Sequence, residues 1–81
     1  MCYVKEATYI KDYRLRINFG DGTQKEVDLF PYLDGEVFEP LKNIAYFRQV
    51  RVNQDIDTIF WDNGADFSPE FLYKIGQPIR S

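Results

Sequence analysis

Between Tyr13 and Leu29 apolar and polar residues alternate in two runs, separated by Gly20-Asp21-Gly22. Tyr13, Leu15, Ile17 and Phe19 fall on one side and Arg14, Arg16 and Asn18 on the other, the period of two expected of a half-buried strand. Past the glycines the alternation resumes, with Val27 and Leu29 inward and Gln24, Glu26 and Asp28 outward. This is a hairpin, and its register follows from the pattern. A two-residue loop at Asp21-Gly22 sets Ile17 against Glu26 and Leu15 against Asp28, mixing apolar and acidic side chains on one face. A three-residue loop, Gly20 to Gly22, pairs Leu15 with Val27 and Tyr13 with Leu29 inside, and Arg16 with Glu26 and Arg14 with Asp28 outside. Facing residues share a face, so the second register agrees with the hydrophobic pattern. It also places Gly22 at the left-handed position that such loops favour, between a closing pair of Phe19 and Thr23.

The remaining elements are shorter. Tyr3 to Ile10 reads as a first strand of imperfect alternation, leading through Lys11-Asp12 into the hairpin. Pro31 ends the strand after Leu29 because it has no N–H for a ladder. Asp34-Gly35 signals a turn, and Glu36 to Phe38 reads as a short extended piece. From Pro40, the spacing of Leu41, Ile44, Ala45 and Phe47 predicts a brief middle helix that is marginal unless packed. Arg48 to Asn53 returns to strand, Gln54 to Asp57 is a polar turn, and Thr58 to Trp61 is a strand apolar on both faces, placed centrally or under a helix. Ser68-Pro69-Glu70 is a helix start: a capping hydroxyl, a proline at the first helical position and an acid in the first turn. Phe67 and Leu72 match a hydrophobic staple across that start. Gly76 stops the helix, and residues 77–81 read as a loose tail. The fold class is α+β: a small antiparallel sheet built on a β-hairpin, with one short middle helix and one short C-terminal helix, in a single domain spanning 1–81.

Composition narrows the function classes. Hydrophobic residues at 44%, with seven Phe and six Tyr, indicate an ordered chain that fills its core with a few large side chains. The single Cys2 forms no internal disulfide, and no long apolar run marks a leader or a membrane span. A cytoplasmic location is the expectation. The net charge is -3 and unevenly spread. Residues 1–25 hold five bases (Lys5, Lys11, Arg14, Arg16, Lys25) against three acids (Glu6, Asp12, Asp21). That leaves five against ten of the chain's ten basic and thirteen acidic residues for positions 26–81. An acidic second half repels phosphate, which disfavours nucleic acid as a partner.

Candidate chemistry is sparse. With no His and one Cys, neither a His/Cys zinc site nor a Ser-His-Asp or Cys-His arrangement is expected. Gly20-Asp21-Gly22 belongs to a hairpin turn and has no strand-to-helix phosphate cradle, so no cofactor is implied. Asp55 and Asp57 bracket Ile56 as a weak cation site, against the plainer reading of solvated turn acids. Trp61, Asp62, Asn63 and Asp66 form the one cluster with a possible ligand cleft. If Asp66 sat in an apolar pocket beside Phe67 and Trp61, it would be a candidate acid or base of raised pKa. The structural alternative has Asp66 accepting backbone N–H bonds and tying the loop to the helix start, with Trp61 mainly in the core.

Several stretches together carry a family resemblance. DYRLRINFGDG at 12–22, VDLFPYL at 27–33, GEVFEPLKN at 35–43, FRQVRV at 47–52 and TIFWDNGADFSPEFLY at 58–73 resemble, in order and spacing, the small bacterial family labelled domain of unknown function 2442. The resemblance covers nearly the whole chain, and the tryptophan, glycine and aspartate motif before the leucine-tyrosine pair is its most specific part. Asp62 stands where family members often have proline. The resemblance implies a short α+β fold and pairing with another small protein in a toxin–antitoxin-like arrangement. It brings no catalytic residues.

Two functional expectations follow. The first is a non-enzymatic protein-binding module, the antitoxin-like partner of a small basic toxin or one copy of a homo-oligomer. Its contact patch is expected at Tyr46 and Phe47, which cannot both face inward, rimmed by Glu36 and Glu39. The alternative is a small hydrolase or ligand-binding domain centred on Asp66 and Trp61.

Overall fold

The computed structural model describes residues 2–79. Strands and short helices follow one another as β1 (Val4–Lys11), β2 (Arg14–Phe19), β3 (Gln24–Asp28), α1 (Ile44–Phe47), β4 (Arg51–Asn53), β5 (Thr58–Phe60), α2 (Pro69–Ile75) and β6 (Gln77–Pro78), with 3-10 turns at Phe30–Tyr32 and Glu39–Lys42. The main sheet is antiparallel in the order β1-β2-β3-β6, and β4 pairs with β5 in a second, smaller sheet.

The central hairpin has the predicted register: Leu15 faces Val27, Arg16 faces Glu26 and Arg14 faces Asp28. The Leu29 N–H donates to the Tyr13 carbonyl at 2.9 Å, continuing the ladder by one pair. Its loop is three residues long. Phe19 N–H donates to Thr23 C=O (2.8 Å), Gly22 N–H donates to Phe19 C=O (3.0 Å), and Gly22 has φ +90°. The Asp21 carboxylate accepts the Thr23 N–H at 2.9 Å and fixes the turn further. The outer ion pairs are less regular than the register. Arg14 reaches diagonally to Glu26 at 2.7 Å and more loosely to Asp28 at 3.8 Å. The broken alternation of β1 also has a local cause. Its eight residues run against the six of β2, with irregularities between Val4 and Glu6 and between Tyr9 and Lys11. Such bulges shift the inward face by one residue each time.

One face of the sheet carries the core. Leu15, Ile17, Phe19, Val27 and Leu29 are buried together with Leu33, Leu41, Phe47, Ile59, Trp61, Phe67 and Leu72. Each large apolar side chain removed from water stabilises the fold by roughly 1.5–3 kcal/mol before entropy is counted. Lys25 occupies an inward-facing position opposite Ile17. Its ammonium lies over the Tyr73 ring, 3.9 Å from the centroid, and donates to the Tyr73 carbonyl at 2.8 Å, at the negative end of α2.

Four expectations need correction. Glu36 to Phe38 is a turn rather than an extended piece. Gly35 at φ +96° lets its carbonyl accept from both Phe38 and Glu39 N–H, which curls the backbone. The middle helix is split, because Asn43 leaves the 3-10 turn in an extended conformation and caps α1 through a 3.0 Å bond from Ala45 N–H. β5 is buried on both faces but lies in its own small sheet, between β4 and a bridge from Phe60 to Asp66. A bond from Val4 N–H to Asp57 C=O (2.8 Å) joins the two sheets. The tail is not loose at its start: Gln77 and Pro78 pair with Glu26 and Lys25, and Ile79 N–H donates to Gln24 C=O. Pro78 therefore turns the side lacking an N–H to the outer edge, which blunts further pairing. Residues 80 and 81 of the expected tail lie outside the described residues.

The start of α2 is as predicted. Ser68 Oγ accepts the Phe71 N–H at 3.2 Å, and Pro69 follows it. Phe67 stacks on Phe71 with centroids 5.7 Å apart, and Leu72 is buried in the same cluster. Gly76 ends the helix in an extended conformation that leads directly into β6. Among the described residues no helix is long and apolar enough to cross a membrane.

Candidate functional site

The cluster Trp61, Asp62, Asn63 and Asp66 forms a turn that repeats the first hairpin bond for bond. Trp61 N–H donates to Ala65 C=O (2.9 Å), Gly64 N–H donates to Trp61 C=O (3.0 Å), and Gly64 has φ +91°. Asn63 Oδ1 accepts the Ala65 N–H at 3.0 Å, the role of Asp21 in the first loop. Asn63 also donates from its amide to the Val37 carbonyl at 2.8 Å, tying the loop to the turn after Gly35. Asp62 is exposed and paired with Arg51, whose guanidinium lies over the Phe60 ring. A solvated pair of this kind contributes about 0–1 kcal/mol.

These residues do not enclose a cleft. Trp61 is 1% exposed, and its indole N–H donates to the Phe47 carbonyl at 2.9 Å. Its ring packs against Phe47 and Phe67, with centroids 5.6 and 6.1 Å away. Asp66 is exposed, and its backbone bridges to Phe60. The apolar pocket expected beside Phe67 and Trp61 is therefore not built around it. The tie expected of Asp66, an acceptor for backbone N–H groups in this loop, is supplied by Asn63 instead. Asp55 and Asp57 are exposed turn residues, with Asp57 in the left-handed region at φ +59°. Among the described residues no group of three His, Cys, Asp or Glu side chains is placed to hold a metal ion.

The expected contact patch at the middle helix also needs correction. Phe47 is fully buried, ringed by Tyr9, Tyr13 and Trp61 at centroid distances of 6.1, 5.4 and 5.6 Å. Tyr46 is half-buried and packed against the core. The helical spacing holds only in part, since Leu41 and Phe47 are buried while Ile44 and Ala45 are exposed, and the wholly apolar Phe47 rather than Tyr46 fills the core. Glu36 and Glu39 are exposed, and Glu39 pairs with Lys42 at 3.3 Å.

Exposed aromatic surface lies elsewhere, at Phe30 (52%) and Tyr32 (40%) on the 3-10 turn after β3. Phe30 leans on Tyr13 (5.1 Å) and Tyr32 on Phe71 (4.9 Å, edge-on), so both rings are held from behind with one side open to water. An open groove of about 520 Å³ runs beside Tyr32, floored by Arg14, Glu26 and Asp28 and walled by Ile75, Pro78 and Ile79. A second hollow of about 300 Å³ lies beside Phe30 and adds Asp12. The bond to Glu26, then the charge of Asp28, hold the Arg14 guanidinium still more firmly protonated. Sequence reasoning read Phe30-Pro31-Tyr32 only as the end of a strand. The available signal was two aromatics around a proline, which keeps the chain out of the sheet and cannot bury both rings.

Comparison with curated proteins and with solved structures gave no match. The match is to a family, over residues 4–78, from the first residue of β1 to the last of β6. The chain belongs to the family described as Protein of unknown function (DUF2442).

Proposed function

We propose that this chain is a non-enzymatic protein-binding module acting in the cytoplasm, the antitoxin-like partner of a small basic protein. The observation that carries the reading is the pair Phe30 and Tyr32, both substantially exposed on one turn while the core is already filled by Trp61, Phe47 and Phe19. Aromatic rings held rigidly at a surface are the usual anchors of protein contacts. The charge of -3 supports a basic partner, because opposite charge speeds encounter in a salt-dependent way. The anchor thus moves from the middle helix to the turn after β3.

Co-expression of the tagged chain with the small protein encoded beside its gene tests this. A stable complex is expected, with an association rate that falls as salt rises. Failure to form that complex, together with no partner retained from the native host, would refute the reading. Turnover of a small substrate that Asp66→Asn abolishes would replace it with the hydrolase alternative.

A further inference from the structure

The groove beside Tyr32 has a character of its own. Its floor is polar and its walls are apolar, and it opens where β6 stops covering β3. β6 pairs with Lys25 and Glu26 alone, so the edge of β3 at Asp28 faces the groove. Among the described residues Arg14 is the only base in the lining, and it already contacts both carboxylates there. Asp12 lines the adjoining hollow together with Asp28 and the same Arg14. Arg16 opposite Glu26 and Lys11 opposite Arg14 balance the wider face, so the surplus is confined to the lining itself, where Glu26 and Asp28 stand against Arg14. Pro78 denies the outer edge of β6 to another strand, which directs an incoming chain into the groove rather than onto the sheet.

We propose that this groove receives an extended, cationic segment of a protein partner. An apolar side chain of that segment rests between Tyr32 and Ile75, and a neighbouring Arg or Lys reaches Glu26 and Asp28. The assignment rests on the protein-binding reading above and adds where the partner binds and what chemistry it brings. A segment alternating apolar and basic residues fits, because an extended chain points successive side chains to opposite sides.

The test uses the full chain, labelled with nitrogen-15, and a ten-residue peptide of alternating leucine and arginine as probe. Amide shifts should concentrate at Asp28, Tyr32, Gln77 and Ile79. Tyr32→Ala and Asp28→Asn should each weaken binding at least about fivefold, as expected for loss of an anchor contact. Asp28→Asn should keep the wild-type thermal midpoint, since Asn still offers the Oδ1 that accepts the Phe30 N–H. Tyr32→Ala also loses the contact with Phe71 and should melt lower while staying folded. Glu26→Gln provides a third variant if Tyr32→Ala unfolds. Equal binding of a leucine–glutamate or serine–arginine peptide would overturn the proposal, as would shifts centred elsewhere or wild-type affinity in the variants. A concentration-dependent dimer lost in Tyr32→Ala, without peptide binding, would assign the groove to a second copy and also overturn it. A co-expressed partner that still binds all three variants would sink this groove alone and leave the protein-binding reading standing.

Discussion

Trp61→Phe separates a structural tryptophan from a ligand-binding one. Three losses follow from the surroundings of the ring. The indole N–H no longer donates to the Phe47 carbonyl, a bond of 2.9 Å. That carbonyl also accepts the Val50 N–H at 3.3 Å, so it is not orphaned, and the loss stays near 1 kcal/mol. The smaller ring leaves roughly 40 Å³ unfilled, worth about 1 kcal/mol at ~24 cal/mol per Å³. Weaker ring contacts with Phe47 and Phe67 add about 0.5 kcal/mol. The total is about 2–3 kcal/mol against a stability of roughly 4–12 kcal/mol expected for a domain of this length. The variant therefore folds, whereas Trp61→Ala, at about 3–5 kcal/mol, approaches the limit. Urea unfolding followed by far-ultraviolet circular dichroism is the assay, because the variant has no tryptophan to report by fluorescence. With a slope of about 1 kcal/mol per M, the midpoint should fall by about 2–3 M. A fall of less than about 0.5 M would refute the argument and return Trp61 to the surface.

Removing the cap by Ser68→Ala should cost about 1 kcal/mol, read as a lower urea midpoint at unchanged slope. Two glycines should respond unequally to alanine although both are crowded. At Gly76 a Cβ meets Lys25 Cβ at 2.8 Å and the Leu72 carbonyl at 3.0 Å, so Gly76→Ala should destabilise by about 1–3 kcal/mol. At Gly20 the obstacle is the ring of the exposed Tyr3, which can swing away, so the thermal midpoint of Gly20→Ala should drop far less. The Thr23 backbone N–H holds the Asp21 carboxyl below its usual pKa. A depressed folded pKa contributes stability that is present above the unfolded value, about 3.9, and is lost as pH falls through the folded one. Asp21→Asn keeps the accepting oxygen and removes the charge, so melting temperatures measured below about pH 4 should fall less steeply than for wild type.

The parts of the fold that were legible depended on side-chain alternation or on a local capping rule. The β2–β3 register needed only the positions of Leu15, Ile17, Val27 and Leu29, because a slip of one residue would have buried acids. Ser68-Pro69-Glu70 needed only the preferences of a first helical turn. The illegible parts depended on contacts distant in sequence. β6 is two residues long and exists because Gly76 lets the chain leave α2 alongside Lys25. No periodicity can announce an element of that length. The bulges of β1 likewise become visible only once β2 is in place opposite it.

The ligand-cleft alternative has a related origin, while the placing of Trp61 in the core holds. Asp62-Asn63-Gly64-Ala65-Asp66 resembles a ligand cluster because it gathers carboxylates and an amide beside a tryptophan. The same residue types are what a tight three-residue loop requires. Gly20-Asp21-Gly22 shows this, since it makes the same three bonds with no tryptophan nearby. In both loops a short Asp or Asn side chain accepts the N–H two residues on, and a glycine takes the left-handed position. Asn63 uses its remaining donor on Val37, and Asp62 meets Arg51, so two of the polar groups that drew attention already have partners within the fold. The groove beside Tyr32 is different in kind. Asp28 spends one oxygen on the Phe30 N–H in the same way, but its second oxygen and those of Glu26 share the single Arg14. The half-exposed ring of Tyr32 has one side open, and together these are the capacity a partner can use.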